Sequence, residues 1–199
     1  MSLTRSPLYK TGGGMRKIIK FYEGLDRELF IDGQTKLAKM NTALHISCGQ
    51  TIPTPTTVML MTKMLELDKT CKVLEIGTGS GYNAAFLAEF AKQVYTVEIH
   101  KELADKAKKR LKKLGYKNIV FKTGSGINGW EKHAPYDRIV VTASAKQAPL
   151  HLLEQLTPNG ILIAPAFEEN MRQDLTMYVK NNKEIETYRI TGVRFVPIT

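Results

Sequence analysis

Apolar residues recur from Met15 to Phe30 at Ile18/Ile19, Phe21/Tyr22, Leu25 and Leu29/Phe30. That three- and four-residue spacing predicts a helix, weakened only by Gly24 and ended by Asp32-Gly33. Thr42–Pro55 shows no period and holds several turn-formers, so it reads as a loop, and Thr56–Leu67 reads as a second helix. From Lys72 the texture changes to strand, helix, strand: Lys72–Ile76, Asn83–Lys92, Val94–Ile99, Lys101–Leu114, Ile119–Lys122. A loop through Gly124–Pro135 follows, then the strand Asp137–Thr142, the helix Pro149–Leu156 and the strand Gly160–Pro165. Such alternation, with strands apolar along their length, predicts a mostly parallel sheet with helices on both faces. In the tail, Asp174–Val179, Ile185–Ile190 and Val193–Pro197 read as strands separated by Asn181-Asn182 and Thr191-Gly192 turns, pairing antiparallel at one edge.

Met1–Gly14, ending in three glycines, reads as a leader or flexible arm outside the fold. At about 150 residues per domain, the 199-residue length predicts a single domain, 15–199. Within it, 15–70 forms N-terminal helices and a loop, and 71–199 forms the α/β core. No apolar run approaches the roughly 20 residues of a membrane span, and no apolar stretch opens the chain, which predicts a cytoplasmic protein with no membrane partner. Cys48 and Cys71 are too few for a disulfide framework and lack metal-ligand spacing.

Twenty-nine Lys and Arg against nineteen Asp and Glu give a net charge of +10, which raises the question of an anionic partner. Much of the excess lies between Lys101 and Lys122. There Leu103, Ala107, Leu111 and Leu114 would turn inward and leave the lysines as a solvated helix face. No aromatics interleave with them to stack bases, so nucleic acid is disfavoured.

The informative stretch is Val73-Leu-Glu75-Ile-Gly77-Thr78-Gly79-Ser-Gly81-Tyr82. A strand runs into a glycine-rich turn that opens a helix, whose free N–H groups and positive dipole end attract an anion. Glu98 closes the next strand, where a carboxylate accepts hydrogen bonds from ribose hydroxyls. The glycine spacing differs from the dinucleotide fingerprint, and Glu75 beside a pyrophosphate would be repulsive. Beside an ammonium and a sulfonium it is useful, so the pattern points to a Rossmann-like α/β domain that binds S-adenosylmethionine.

Gly49-Gln50-Thr51-Ile52, Val73–Tyr82, Gly129-Trp130, Ala134–Ala143 and Val193-Arg194-Phe195-Val196-Pro197 together resemble the protein-L-isoaspartate O-methyltransferase family. The resemblance runs from about Met15 to Thr199. It implies a class I methyltransferase domain and methyl transfer from S-adenosylmethionine to the free carboxylate of isoaspartyl residues in damaged proteins; the expected state is a monomer. It also implies that Glu75, Gly77, Thr78, Gly79 and Gly81 hold the methionine part, Glu98 the ribose, and Ile99 and His100 flank the adenine. Gln50, Ile52 and Pro53, with the tail residues Val193, Arg194 and Phe195, would bind substrate.

Two departures stand out. Gly124-Ser125-Gly126 replaces the family's G-D-G, so Ser125 would meet the adenine amino group in place of an aspartate, which predicts weaker cofactor binding. Pro53 stands where the family has serine against the substrate carboxylate, and it removes both a hydroxyl and an N–H. Thr54 or Thr51 is left to supply the hydroxyl. His45 and Cys48 precede this loop, but no acyl-transfer motif surrounds them, so they read as a partly buried histidine and a filler thiol. Trp130 reads as core, and Asp137 as a structural cap or pair near Arg138. The departures keep two other readings open: a methyltransferase for another carboxylate, a small molecule or RNA, and a cofactor-binding relative without turnover.

Overall fold

The structure, a computed structural model, describes residues 12–33, 35–143, 149–167, 173–181 and 184–193. Its centre is a seven-stranded sheet in the order β5-β4-β3-β6-β7-β8-β9. Here β3 is Lys72–Ile76, β4 Gln93–Glu98, β5 Ile119–Thr123, β6 Tyr136–Val141, β7 Leu156–Phe167, β8 Gln173–Lys180 and β9 Ile185–Val193. The first five in spatial order are parallel, and β8 and β9 add antiparallel. From β3 the chain builds outward through β4 to β5, then returns to β6 on the other side of β3. This leaves a switch point between the carboxyl ends of β3 and β6, the position where open α/β sheets bind ligands.

The helices α1 (Gly12–Gly24), α2 (Pro55–Met64), α3 (Tyr82–Phe90) and α4 (Lys101–Lys113) complete the frame. Alternate strand residues serve opposite faces. Val73, Val94, Val140 and Ile163 pack in one cluster with Ile18, Met61, Phe86 and Leu111, so all four α-helices serve that face. Leu74, Ile76, Val97 and Ile139 pack on the other, against Leu152 and Leu153 of the 3-10 turn Leu150–Gln155 and against Trp130. In the expected helix Pro149–Leu156 only this 3-10 turn forms. Helix α3 is apolar almost all round and seven of its nine residues are buried. Helix α4 buries Leu103, Ala104, Ala107 and Leu111 and leaves most of its lysines in water, as its pattern predicts.

The N-terminal region departs most from expectation. Helix α1 starts at Gly12, inside the stretch read as a leader, and stops at Gly24 rather than at Phe30. Asp26 caps a separate 3-10 turn, Arg27–Phe30, by accepting from the Glu28 N–H at 3.0 Å. The expected loop Thr42–Pro55 contains two paired two-residue strands, β1 (Leu44–His45) and β2 (Thr51–Ile52). In the tail, β9 runs through Thr191-Gly192, so no turn forms there; the extra length is taken up by a register shift against Gln173–Leu175. Of the expected strand Val193–Pro197, only Val193 lies within the described residues. Asp137 does its structural work by accepting from the Lys72 N–H at 2.8 Å, not by pairing with Arg138. Among the described residues, no helix is long and apolar enough to cross a membrane.

Candidate active site

A cavity opens at the switch point, lined by Ile76–Ser80 at the end of β3, Tyr82 and Asn83 at the start of α3, Val97–His100 after β4, Gly126, Thr142 and Ala143, and Gln50–Pro53. Its floor is the glycine turn. Gly77, at φ +95°, brings its backbone so close to β6 that a Cβ would lie 2.4 Å from Thr142 Oγ1. That hydroxyl donates to the Gly77 carbonyl at 2.6 Å, which ties the two sides of the switch point together. Gly79, at φ +53°, faces Ile46 of the β1–β2 loop, whose Cδ1 would be 3.7 Å from a Cβ. Gly81, expected at the cofactor, does not line the cavity. It is the N-cap of α3 at φ +86°, where a Cβ would strike Leu111 of α4 at 2.9 Å, so its role is helix packing.

Glu75 also differs from expectation. It is 0% exposed and lies beneath the turn, outside the lining. Its Oε1 accepts from Asn83 Nδ2 at 2.8 Å and its Oε2 from Thr96 Oγ1 at 2.6 Å, and Thr96 Oγ1 lies 2.5 Å from Thr78 Oγ1. Burial pushes its carboxyl up to about 7, against the pull of these two hydrogen bonds. Glu75 therefore supports Thr78 and Asn83, which themselves reach the cavity.

Glu98 is where the pattern placed it, at the end of β4 and 5% exposed. Its Oε2 accepts from the Gly79 N–H at 2.8 Å and its Oε1 from the His100 N–H at 3.0 Å. Each oxygen keeps further acceptor capacity on the cavity side. Ile99 and His100 both line the cavity. His100 is the N-cap residue of α4, but its side chain makes no capping bond. Of the Gly124-Ser125-Gly126 turn, only Gly126 lines the cavity; Ser125 is exposed and its hydroxyl accepts from the Ile127 N–H at 3.4 Å. The next turn, Gly126–Trp130, is held from the far face by Gln155, which accepts from the Trp130 N–H at 3.0 Å and donates to the Asn128 carbonyl at 2.7 Å. Trp130 is half-buried, edge-on to Tyr95 and His133 rather than deep in the core.

The roof is the β1–β2 loop. Gln50 and Thr51 line the cavity with Ile52 and Pro53, and Gln50 Nε2 donates to the Cys48 carbonyl at 3.2 Å. Thr54 is not in the lining. It is the N-cap of α2, its Oγ1 accepting from the Thr57 N–H at 3.2 Å, with Pro55 as first helical residue. Thr51 is thus the hydroxyl left at the cavity. His45 and Cys48 are both exposed, and Cys48 Sγ points to Glu102 at 3.9 Å, so they form no dyad. Arg194 and Phe195 lie outside the described residues, and Val193 ends β9.

Three lining residues carry a buried polar atom with no hydrogen-bond partner among the described residues: Tyr82 Oη, Asn83 Oδ1 and His100 Nε2. Buried polar atoms are normally satisfied. Together with the closely approached glycine backbone and the Glu98 carboxylate, they fit a ligand bearing several polar groups and a ribose. The family model "Protein-L-isoaspartate(D-aspartate) O-methyltransferase (PCMT)" matches residues 8–199. The chain belongs to this family. A protein-L-isoaspartate O-methyltransferase of Maricaulis maris is 45% identical over 190 residues, covering 94% of this chain and 89% of that relative. A solved protein-L-isoaspartate O-methyltransferase structure superposes with a TM-score of 0.81 at 26% identity, over 95% of this chain and 62% of that one. A Plasmodium falciparum structure holding S-adenosyl-L-homocysteine shares the fold at a TM-score of 0.79 and 24% identity, covering 99% and 94% of the two chains.

Within this methyltransferase family the site adds residues that motif reading passed over. Thr142, Asn83 and Tyr82 reach the cavity, and Arg27 holds its roof. Thr54-Pro55 carried a legible signal, a capping threonine before a first-turn proline.

Proposed function

We propose that this chain transfers the methyl group of S-adenosylmethionine to the free carboxylate of isoaspartyl residues in peptides and proteins. The observation that carries the reading is that the glycine turn and the Gln50–Pro53 strip face each other across one cavity. The cofactor supplies an activated methyl on a sulfonium. The acceptor carboxylate is ionised and nucleophilic at neutral pH, so the protein need not provide a base.

What the residues must do is hold oxygen, methyl and sulfur in line and keep water out. The Gly77–Gly79 backbone allows close approach at the methionine part, and Glu98 accepts from ribose hydroxyls. His100 Nε2 and Asn83 Oδ1 gain the partners they lack. Ile46 against Gly79 closes the roof on the floor near the reacting groups. Gln50, Thr51, Ile52 and Pro53 face the acceptor, with Thr51 the hydroxyl available to its carboxylate in place of a serine. Isoaspartyl-containing proteins are then the partners of a cytoplasmic, monomeric enzyme, a setting that suits its two unpaired cysteines, Cys48 and Cys71.

The test is transfer of labelled methyl to an isoaspartyl peptide with the matched aspartyl peptide as control. Selective labelling of the isoaspartyl form is expected. Equal labelling of both peptides, or of neither while S-adenosylhomocysteine still binds, would remove the proposed acceptor.

A further inference from the structure

Arg27 sits outside the motifs and is 4% exposed, a buried cation at the start of the 3-10 turn Arg27–Phe30. The four hydrogen bonds it makes among the described residues all go to main-chain carbonyls. Nη1 donates to Ala38 at 3.3 Å and Met40 at 3.1 Å, and Nη2 to Thr42 at 2.8 Å and Pro53 at 3.0 Å. None of the ion pairs among the described residues involves it. Burial pulls its pKa below the usual guanidinium value, yet an arginine stays protonated at neutral pH. A buried charge without a carboxylate is a costly way to fill space. A planar fork of donors is, however, well suited to fixing several carbonyls at once.

Two of those carbonyls, Thr42 and Pro53, flank the roof, and the other two, Ala38 and Met40, lie in the segment that leads to it. Pro53 lines the cavity, and Thr42 leads into β1. Beneath the guanidinium, at 5.7 Å, lies the ring of Tyr82, the first residue of α3 and part of the same cavity. Phe30, at the other end of the 3-10 turn, meets that tyrosine ring edge-on at 5.3 Å. One short element is therefore fastened to the floor at both ends and reaches up to the roof through Arg27. A trans peptide is rigid and planar. Holding the Pro53 carbonyl from one side, while Thr54 caps α2 on the other, fixes the Pro53–Thr54 plane. Proline offers no N–H, so its carbonyl is the only polar group by which the protein can hold residue 53.

We infer that Arg27 is the positioning residue of the acceptor side, clamping Pro53 and the Gln50–Pro53 strip at a set distance from the glycine turn so that the acceptor carboxylate meets the methyl group in line. The inference rests on the methyl-transfer reading above, and its test separates the two. Arg27→Lys keeps the charge and loses the fork; Arg27→Met keeps only the stem. For both, the KM for an isoaspartyl peptide, the affinity for S-adenosylhomocysteine and amide hydrogen exchange over residues 42–54 are measured against the unaltered protein.

The expected result for Arg27→Lys is a peptide KM raised roughly tenfold, the scale of one lost charged hydrogen bond. S-adenosylhomocysteine affinity should stay within about twofold on the same scale. Exchange should rise over 42–54 and not in β3 or α3. Millimolar guanidinium should return part of the lost KM in folded Arg27→Met, because the missing fork is replaced in place. Unchanged KM and unchanged exchange in folded Arg27→Lys would overturn the inference, as would a parallel fall in S-adenosylhomocysteine affinity. If the unaltered protein methylates no isoaspartyl peptide, the functional reading fails, and the exchange comparison alone decides the role of Arg27.

Discussion

The floor and the roof of the cavity are built on opposite plans. The floor is the end of a β-strand, a glycine turn and the start of a helix, all sunk into the sheet. Its two carboxylates bond within one βαβ unit, Glu75 to Asn83 and Thr96 and Glu98 to Gly79 and His100, and Thr142 ties the turn to β6. The roof is irregular backbone between short elements, and beyond local bonds such as Gln50 to Cys48 it is held by charged side chains from other elements. Arg27 reaches residues 11 to 26 positions away, and Lys106 reaches Ser47 at 2.8 Å from another layer. Regular structure satisfies its own backbone. Irregular structure must borrow donors, and what it borrows decides where it sits.

The largest effect should come from the floor. Gly77→Ala forces a side chain to φ +95° and drives its Cβ to 2.4 Å from Thr142 Oγ1. Backbone strain of this kind costs about 1–3 kcal/mol before the clash is counted. Titration calorimetry should show S-adenosylhomocysteine affinity down by at least about 30-fold, in contrast to the Arg27 variants. Binding that survives within a factor of two would mean that the floor is as adaptable as the roof.

Next comes Glu75. Its folded carboxyl titrates at about 7 against 4.5 for an ordinary one. The folded state thus holds the proton more tightly, so this group stabilises fully below about pH 4.5 and that contribution is lost as pH rises through about 7. The whole change is on the order of 3 kcal/mol. Glu75→Gln has no such proton, so chemical denaturation at pH 5 and pH 8 should show a flatter dependence than the unaltered protein. An undiminished slope would place the titration elsewhere.

The smallest effect belongs to the surface of the roof. Lys106 bridges Asp32 at 3.2 Å and Glu102 at 2.9 Å, but its side chain is 41% exposed and that of Asp32 52%. Exposed pairs contribute little and are screened by salt. Lys106→Met should change the peptide KM by no more than about twofold, and less still at high ionic strength. A larger change would shift the control of the roof from Arg27 to the surface.

The same contrast explains what could be read from the chain itself. Lys72–Ile76 and Lys101–Leu114 declare themselves because periodicity and burial coincide there, and Glu98 follows from its place at a strand end. Glu75 and Gly81 belong to the right motif but serve the layer beneath it, since a spacing cannot say which side of a turn meets the ligand. Arg27 was invisible, because a single arginine in a helical pattern looks like a solvated residue and its acceptors are main-chain groups with no sequence signature. The same holds for Gln155, whose amide locks the Gly126–Trp130 turn from the far face of the sheet. Thr54 adjoins the loop in sequence but caps α2, and its legible mark is the proline that follows it at a helix start.

The pair of hydrogen bonds that ties Glu98 to the main chain, at Gly79 and His100, has a thermodynamic meaning. Those two N–H groups are oriented before any ligand arrives, so the turn gives up little freedom when one enters. Binding on this side is preorganised: the entropy of ordering the turn is spent during folding, not during association. A nucleoside meeting this edge finds acceptors already aimed and has only its own freedom to surrender.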